Sequence, residues 1–139
     1  MKLQISPFEK ALHQLRTSLD FLSSTAAKND PALYAQFRAA SIQAFEYSYE
    51  LSIKMMRRQM AQVLASPQDL SQFTFADLMR SAADAGLISD VKRFLLYRDA
   101  RNRTSHTYEE DAAQEVASVI PDFFNDATFL VEQLRKRNT

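Results

Sequence analysis

With 139 residues, one glycine, four prolines and no cysteine, the chain has the length of a single domain that buries a real core. It leaves little room for turn-rich β structure, and it excludes disulfides and thiolate metal sites. Seventeen Lys and Arg balance seventeen Asp and Glu, which argues against a generic nucleic-acid coat protein and leaves self-association open.

Helical periodicity runs through the whole chain. A first helix is expected from Ser6, with Pro7 in its first turn and Glu9 completing a capping box. Phe8, Leu12, Leu15, Leu19 and Leu22 form its single apolar stripe, which the Ala26–Asn29 stretch loses. Asp30-Pro31 is a second cap and first-turn pair. The helix after it has no internal Gly or Pro until about Ala65 and closes at Ser66-Pro67. Phe37, Ile42, Phe45, Tyr49, Ile53, Met56, Met60 and Val63 cover more than one of its faces, the pattern of a central helix.

After a connector at 66–74, Thr74 and Asp77 mark a cap before Phe75, Leu78, Met79 and Ala82. Gly86, the one glycine, falls where a helix ends with positive φ. Asp90 caps a fourth helix that carries Val91, Phe94, Leu95 and Tyr97. The last helix begins near Glu109-Glu110-Asp111, whose acidic first turn suits the helix dipole. Its stripe is Val116, Ile120, Phe123, Ala127, Leu130 and Leu134, with Pro121 expected to kink or split it. The fold class expected is all-α, an up-and-down bundle of four to five helices in one domain over residues 1–139. Met1–Pro7 has no apolar signal core and no run approaches membrane-spanning length, so a soluble cytoplasmic protein is expected.

The chemistry concentrates in Arg101-Asn102-Arg103-Thr104-Ser105-His106-Thr107-Tyr108. Here a guanidinium, an amide, an imidazole and a phenol follow a helical pattern and precede another. Lys92, Arg93, Arg98, Arg101 and Arg103 crowd this stretch with only Asp99 against them, a basic patch suited to phosphate. A His beside such cations is expected to be neutral near pH 7 and available as a general base. Arg101 could grip a phosphate in a fork. Five residues place Arg101 and His106 about 140° apart on an ideal helix, so they converge only if the helix ends inside the motif or if two chains meet.

The plainer reading is an ordinary charged helix end with a solvated His, and composition alone favours it. His13 reads as exposed and inert, and the two histidines lie too far apart in sequence for a zinc site. Glu46, Glu50 and Lys54 share one face of the long helix and read first as a solvated charge ladder. The alternative is a second layer that orients Arg101. Phe45, Tyr47 and Tyr49 read as core and dimer surface, and Arg57-Arg58 as a solvated turn.

Taken together, the Arg-Asn-x3-His spacing and its helical setting resemble the HEPN superfamily, the higher eukaryotes and prokaryotes nucleotide-binding domain. Arg101, His106 and Tyr108 give Arg-x4-His-x-Tyr, which looks like the HepT toxin branch. Residues 41–51 with Lys54, Ala85-Gly86-Leu87-Ile88 and 102–109 are similar to the nucleotidyltransferase substrate-binding proteins. The resemblance covers roughly residues 5–136. It implies an all-helical homodimer whose partner is a minimal nucleotidyltransferase. In one implied role the chain is a toxin, an endoribonuclease needing no metal or cofactor, silenced when the transferase, acting as antitoxin, adenylylates Tyr108. Arg101 and His106 would then be catalytic, with Asn102 supporting them. In the other it is a non-catalytic subunit that binds nucleotide or substrate for the transferase. One chain offers one His at this site, so a dimer would supply base and acid together.

Overall fold

Six α-helices form among the described residues of the computed structural model, and no strand does. Residues 2–64 and 67–139 are described, the side chains of 67–69 excepted. The long helix expected to run to about Ala65 ends at Val63, with Leu64 extended, and Ser66 of the expected Ser66-Pro67 stop lies outside the described residues.

Helix α1 spans Ser6–Leu22 and starts where expected, but without the capping box. Its cap is Ile5, already helical, whose carbonyl receives the N–H groups of Phe8 and Glu9. Glu9 instead reaches across the bundle to an ion pair with Arg135. The Ala26–Asn29 stretch is not a simple end. Ser24 accepts a hydrogen bond from the Ala27 N–H at 3.2 Å and starts a short helix α2, Thr25–Asn29, that buries Ala27. Asp30 then caps α3, Pro31–Val63, accepting from the N–H groups of Ala32 and Leu33. Arg57 and Arg58 lie on its solvated face and form no turn.

A 3-10 helix at Pro67–Gln72 fills the connector. Helix α4, Phe75–Asp84, carries the full Thr74–Asp77 capping box. Its exit is a Schellman turn. Gly86 has φ of 80°, Leu87 N–H donates to the Ala82 carbonyl, and Gly86 N–H donates to that of Ala83. Asp90 caps α5, Val91–Asn102. A second 3-10 turn, Thr104–His106, leads into α6, Glu110–Arg137. Pro121 does not split α6, which runs unbroken past it. Its ring faces solvent, while Val116, Ile120, Phe123 and Ala127 are fully buried and hold both halves to the core.

The long α3 packs against α1, α2, α4, α5 and α6, the position its apolar coverage implied. At the centre Phe123 of α6 meets Phe45 of α3 and Tyr97 of α5 edge-on, with ring centroids 5.1 and 5.4 Å apart. This cluster fixes α3, α5 and α6 relative to one another, and those helices carry every group discussed below.

Candidate functional site

The last turn of α5 ends inside the motif. Arg103 N–H bonds back to the carbonyls of Asp99 and Ala100, His106 N–H to that of Arg103 (2.9 Å), and Glu109 N–H to that of His106 (3.0 Å). Three short turns therefore follow one another with no glycine and no positive φ. The backbone is tight and the side chains point outward: His106 is exposed, and Tyr108 is 80% exposed. Their rings stand 6.2 Å apart at 58°. Among the described residues neither side chain has a hydrogen-bond or ion-pair partner.

Arg101 is the opposite case. Its Nε and Nη2 both donate to one oxygen of Glu50, at 3.1 and 2.5 Å. Its Nη1 lies 3.1 Å from Glu46 and donates to the Thr104 hydroxyl at 3.2 Å. Thr104 in turn is within hydrogen-bond reach of both Glu46 (2.9 Å) and the Arg101 carbonyl (2.8 Å). Glu46 and Glu50 thus form no ladder along α3; both carboxylates turn to Arg101. Beneath them lies Tyr49, whose phenol burial pushes up to about 12 against the pull of Arg98 and Arg101.

No hydrogen bond or ring contact links Arg101 to His106 within one chain among the described residues. Arg101, Glu46 and Glu50 line a groove of about 680 Å³ between α1 and α3, with Tyr47, 59% exposed, on its wall. Asn102, one residue or about 100° on, opens on a different groove with Arg103 and Glu115.

The basic patch expected from the local sequence is largely neutralised by distant carboxylates. Arg103 pairs with Glu115, and Arg93 pairs with Asp126 at 2.8 Å and Asp90 at 3.3 Å. The Asp126 hydrogen bonds raise the Arg93 pKa further. Arg98 lies 4.8 Å above the Phe75 ring. Asp90 is local to Arg93, but Glu46, Glu50, Glu115 and Asp126 are invisible in a window of twelve residues, because they come from α3 and α6. Among the described residues no three His, Cys, Asp or Glu side chains could hold a metal ion. No described helix is long and apolar enough to cross a membrane.

A family profile described as nucleotidyltransferase substrate binding protein like matches residues 3–136. The chain belongs to this family. Within it, a probable ribonuclease HepT of Haemophilus influenzae is 47% identical over 100 residues, 72% of this chain and 68% of the relative. A solved Haemophilus influenzae structure, described as the substrate binding domain of a nucleotidyltransferase, superposes with a TM-score of 0.88 at 36% identity. It covers 95% of this chain and 99% of its own. A Thermus thermophilus protein superposes with a TM-score of 0.71 at 27% identity, over 92% of this chain and 98% of its own.

One feature of this substrate-binding-family chain escaped the sequence reading. Arg38, buried on α3, forms a two-pronged pair with Glu110 at 2.8 and 2.7 Å, donates to Gln114 at 3.2 Å and stacks on Tyr34. It pins the start of α6, and so anchors the far end of the His106–Tyr108 turn. The hydrogen bonds lower the Glu110 pKa and raise that of Arg38. The available signal was an arginine at 38 in register with the core positions Ile42 and Phe45.

Proposed function

We propose that this chain is the toxin of a toxin-antitoxin pair: a homodimeric, metal-independent endoribonuclease acting on cytoplasmic RNA, neutralised when a partner minimal nucleotidyltransferase adenylylates Tyr108. The observation that carries the reading is the exposed, unpartnered pair His106 and Tyr108 two residues apart, in a family whose Haemophilus relative is named a probable ribonuclease. In this reading His106 of one copy takes the proton from an RNA 2′-OH, and the oxygen attacks the adjacent phosphorus. The 5′-oxygen leaves with a proton from His106 of the other copy, giving a cyclic phosphate and a free 5′-OH. Arg101 stabilises the charge gathering on the phosphorane; the supporting role of Asn102, which opens on the neighbouring groove, is carried over from the family resemblance alone. Two copies are required because each chain supplies a single imidazole there.

Silencing follows from the same geometry. The Tyr108 phenol attacks the α-phosphorus of ATP, pyrophosphate leaves and the phenolic proton passes to solvent. The AMP left on the tyrosine adds a negative charge beside His106 and repels the RNA backbone. His106→Ala is expected to abolish cleavage in the presence of a chelator, and growth inhibition with it, without altering helicity. Undiminished cleavage by that variant overturns the proposal. Co-expression with the transferase is expected to add one or more AMP masses, lost in Tyr108→Phe.

The alternative is a non-catalytic subunit that presents nucleotide or substrate to the transferase. It is supported by the relative described as a substrate binding domain and by Arg101, each of whose three guanidinium nitrogens already faces a protein acceptor. It predicts that the unmodified protein cleaves no RNA at any concentration.

A further inference from the structure

The two edges of the Arg101 guanidinium are held in unlike ways. The Nε/Nη2 edge, the one that forks onto a carboxylate or phosphate, is taken by Glu50, whose side chain is 57% exposed. The Nη1 side is held by Glu46, 37% exposed, which is itself tied to Thr104. Among the described residues Glu50 has one anchor, Arg101, while Glu46 has two in different turns. Both line the open α1–α3 groove, so an incoming ligand meets this cluster from solvent.

We infer that Glu50 occupies the phosphate seat of Arg101 and is displaced when a phosphate binds, whereas Glu46, acting with Thr104, is the positioning residue that keeps the guanidinium in place after the exchange. The exchange trades one anion for another at the same fork, so the arginine need not move. An exposed ion pair is weak, since both partners are well solvated when apart. Glu50 can therefore be pushed into the groove at little cost. While seated it closes the fork and leaves the Arg101–Glu46–Glu50 cluster with a net negative charge, which holds off phosphates that bind poorly. Glu46 cannot leave as easily, because it would give up both Nη1 and the Thr104 hydroxyl.

This rests on the phosphate-binding role given to Arg101 above, and its test separates the two. The probes are inorganic phosphate and a fully 2′-O-methylated RNA oligonucleotide that cannot be cleaved. Binding is read from the Arg101 Nε–H signal in nitrogen–proton NMR of the full chain, with the oligonucleotide also followed by fluorescence anisotropy. Glu50→Gln is expected to bind both probes about two- to five-fold more tightly, the competition an exposed ion pair can supply. Glu46→Gln is expected to bind both more weakly, and the double variant no better than Glu46→Gln. A structural role shared by the two carboxylates would shift both single variants in the same direction, so the opposite signs are diagnostic. Equal or weaker binding by Glu50→Gln overturns the inference, as does an Arg101 signal that fails to respond to phosphate. Glu50→Ala is the second variant and must agree with Glu50→Gln. If both variants shift phosphate binding as expected while RNA is bound no better than phosphate, the exchange stands and the ribonuclease reading falls.

Discussion

Phe123 is the residue through which the three helices bearing the site are fastened. Its ring is fully buried and meets Phe45 at 5.1 Å and 87°, Tyr97 at 5.4 Å and 84°, and Tyr49 at 6.3 Å and 48°. Truncation by Phe123→Ala removes the transfer free energy of the phenyl group and leaves a cavity, a loss of about 3–5 kcal/mol. The two edge-on pairs, each worth about 0.5–1.5 kcal/mol beyond burial, put the expectation in the upper half of that range. Phe123→Leu keeps most of the volume and loses only the ring geometry, at a cost of about 1.5 kcal/mol. Urea unfolding followed by circular dichroism, at one fixed protein concentration because association would shift the midpoint, measures both. With a slope of about 2 kcal/mol per molar, the alanine variant should lose about 2 M in midpoint and the leucine variant less than 1 M. Equal losses in the two variants, or a loss below about 1.5 kcal/mol for alanine, would show that the aromatic contacts are not the hub of this core.

Two further outcomes follow from the same interior and its edge. Burial pushes the Tyr49 phenol up to about 12 and raises that of Tyr97, which also donates to Asp126. In the unfolded chain both ionise near pH 10. The folded state then holds the extra proton, so stability is level below about pH 10 and falls as pH rises towards the folded values, by about 1.4 kcal/mol per pH unit for each phenol. Urea midpoints across this alkaline range should show the fall, with a shallower slope in Tyr49→Phe; a flat profile above pH 10 refutes the assignment. Gly86→Ala forces an L side chain to adopt φ of 80° at the Schellman turn, a conformational cost of about 1–2 kcal/mol. The added Cβ would also lie 3.2 Å from Nη2 of Arg137, which donates to the Ala85 carbonyl at 2.7 Å and would have to give way. Backbone strain and this contact both act against the variant, and an unchanged melting temperature would contradict the expected loss.

The helical pattern, the Asp30, Thr74 and Asp90 caps and the Gly86 exit were legible because each depends on neighbours within about one turn. The same holds for the helix ending inside the motif, where the local backbone bonds of Arg103, His106 and Glu109 aim His106 and Tyr108 outward. The capping box expected at Ser6 and Glu9 does not form: Ile5 is the cap, Ser6 already lies inside the helix, and Glu9 pairs with Arg135, far along the chain. Pro121 reads as a break in isolation, yet a fully buried stripe on the opposite face carries α6 through it.

Charge was the property least readable from the chain. Lys92 to Arg103 looks like a cationic strip when only neighbours in sequence are counted. Packing brings Glu46 and Glu50 to Arg101, Glu115 to Arg103 and Asp126 to Arg93. Local hydrogen bonds and apolar periodicity act over three or four residues, and a sequence records them directly. Ion pairs act through space between helices, so only the packed bundle decides which cations stay open to a ligand.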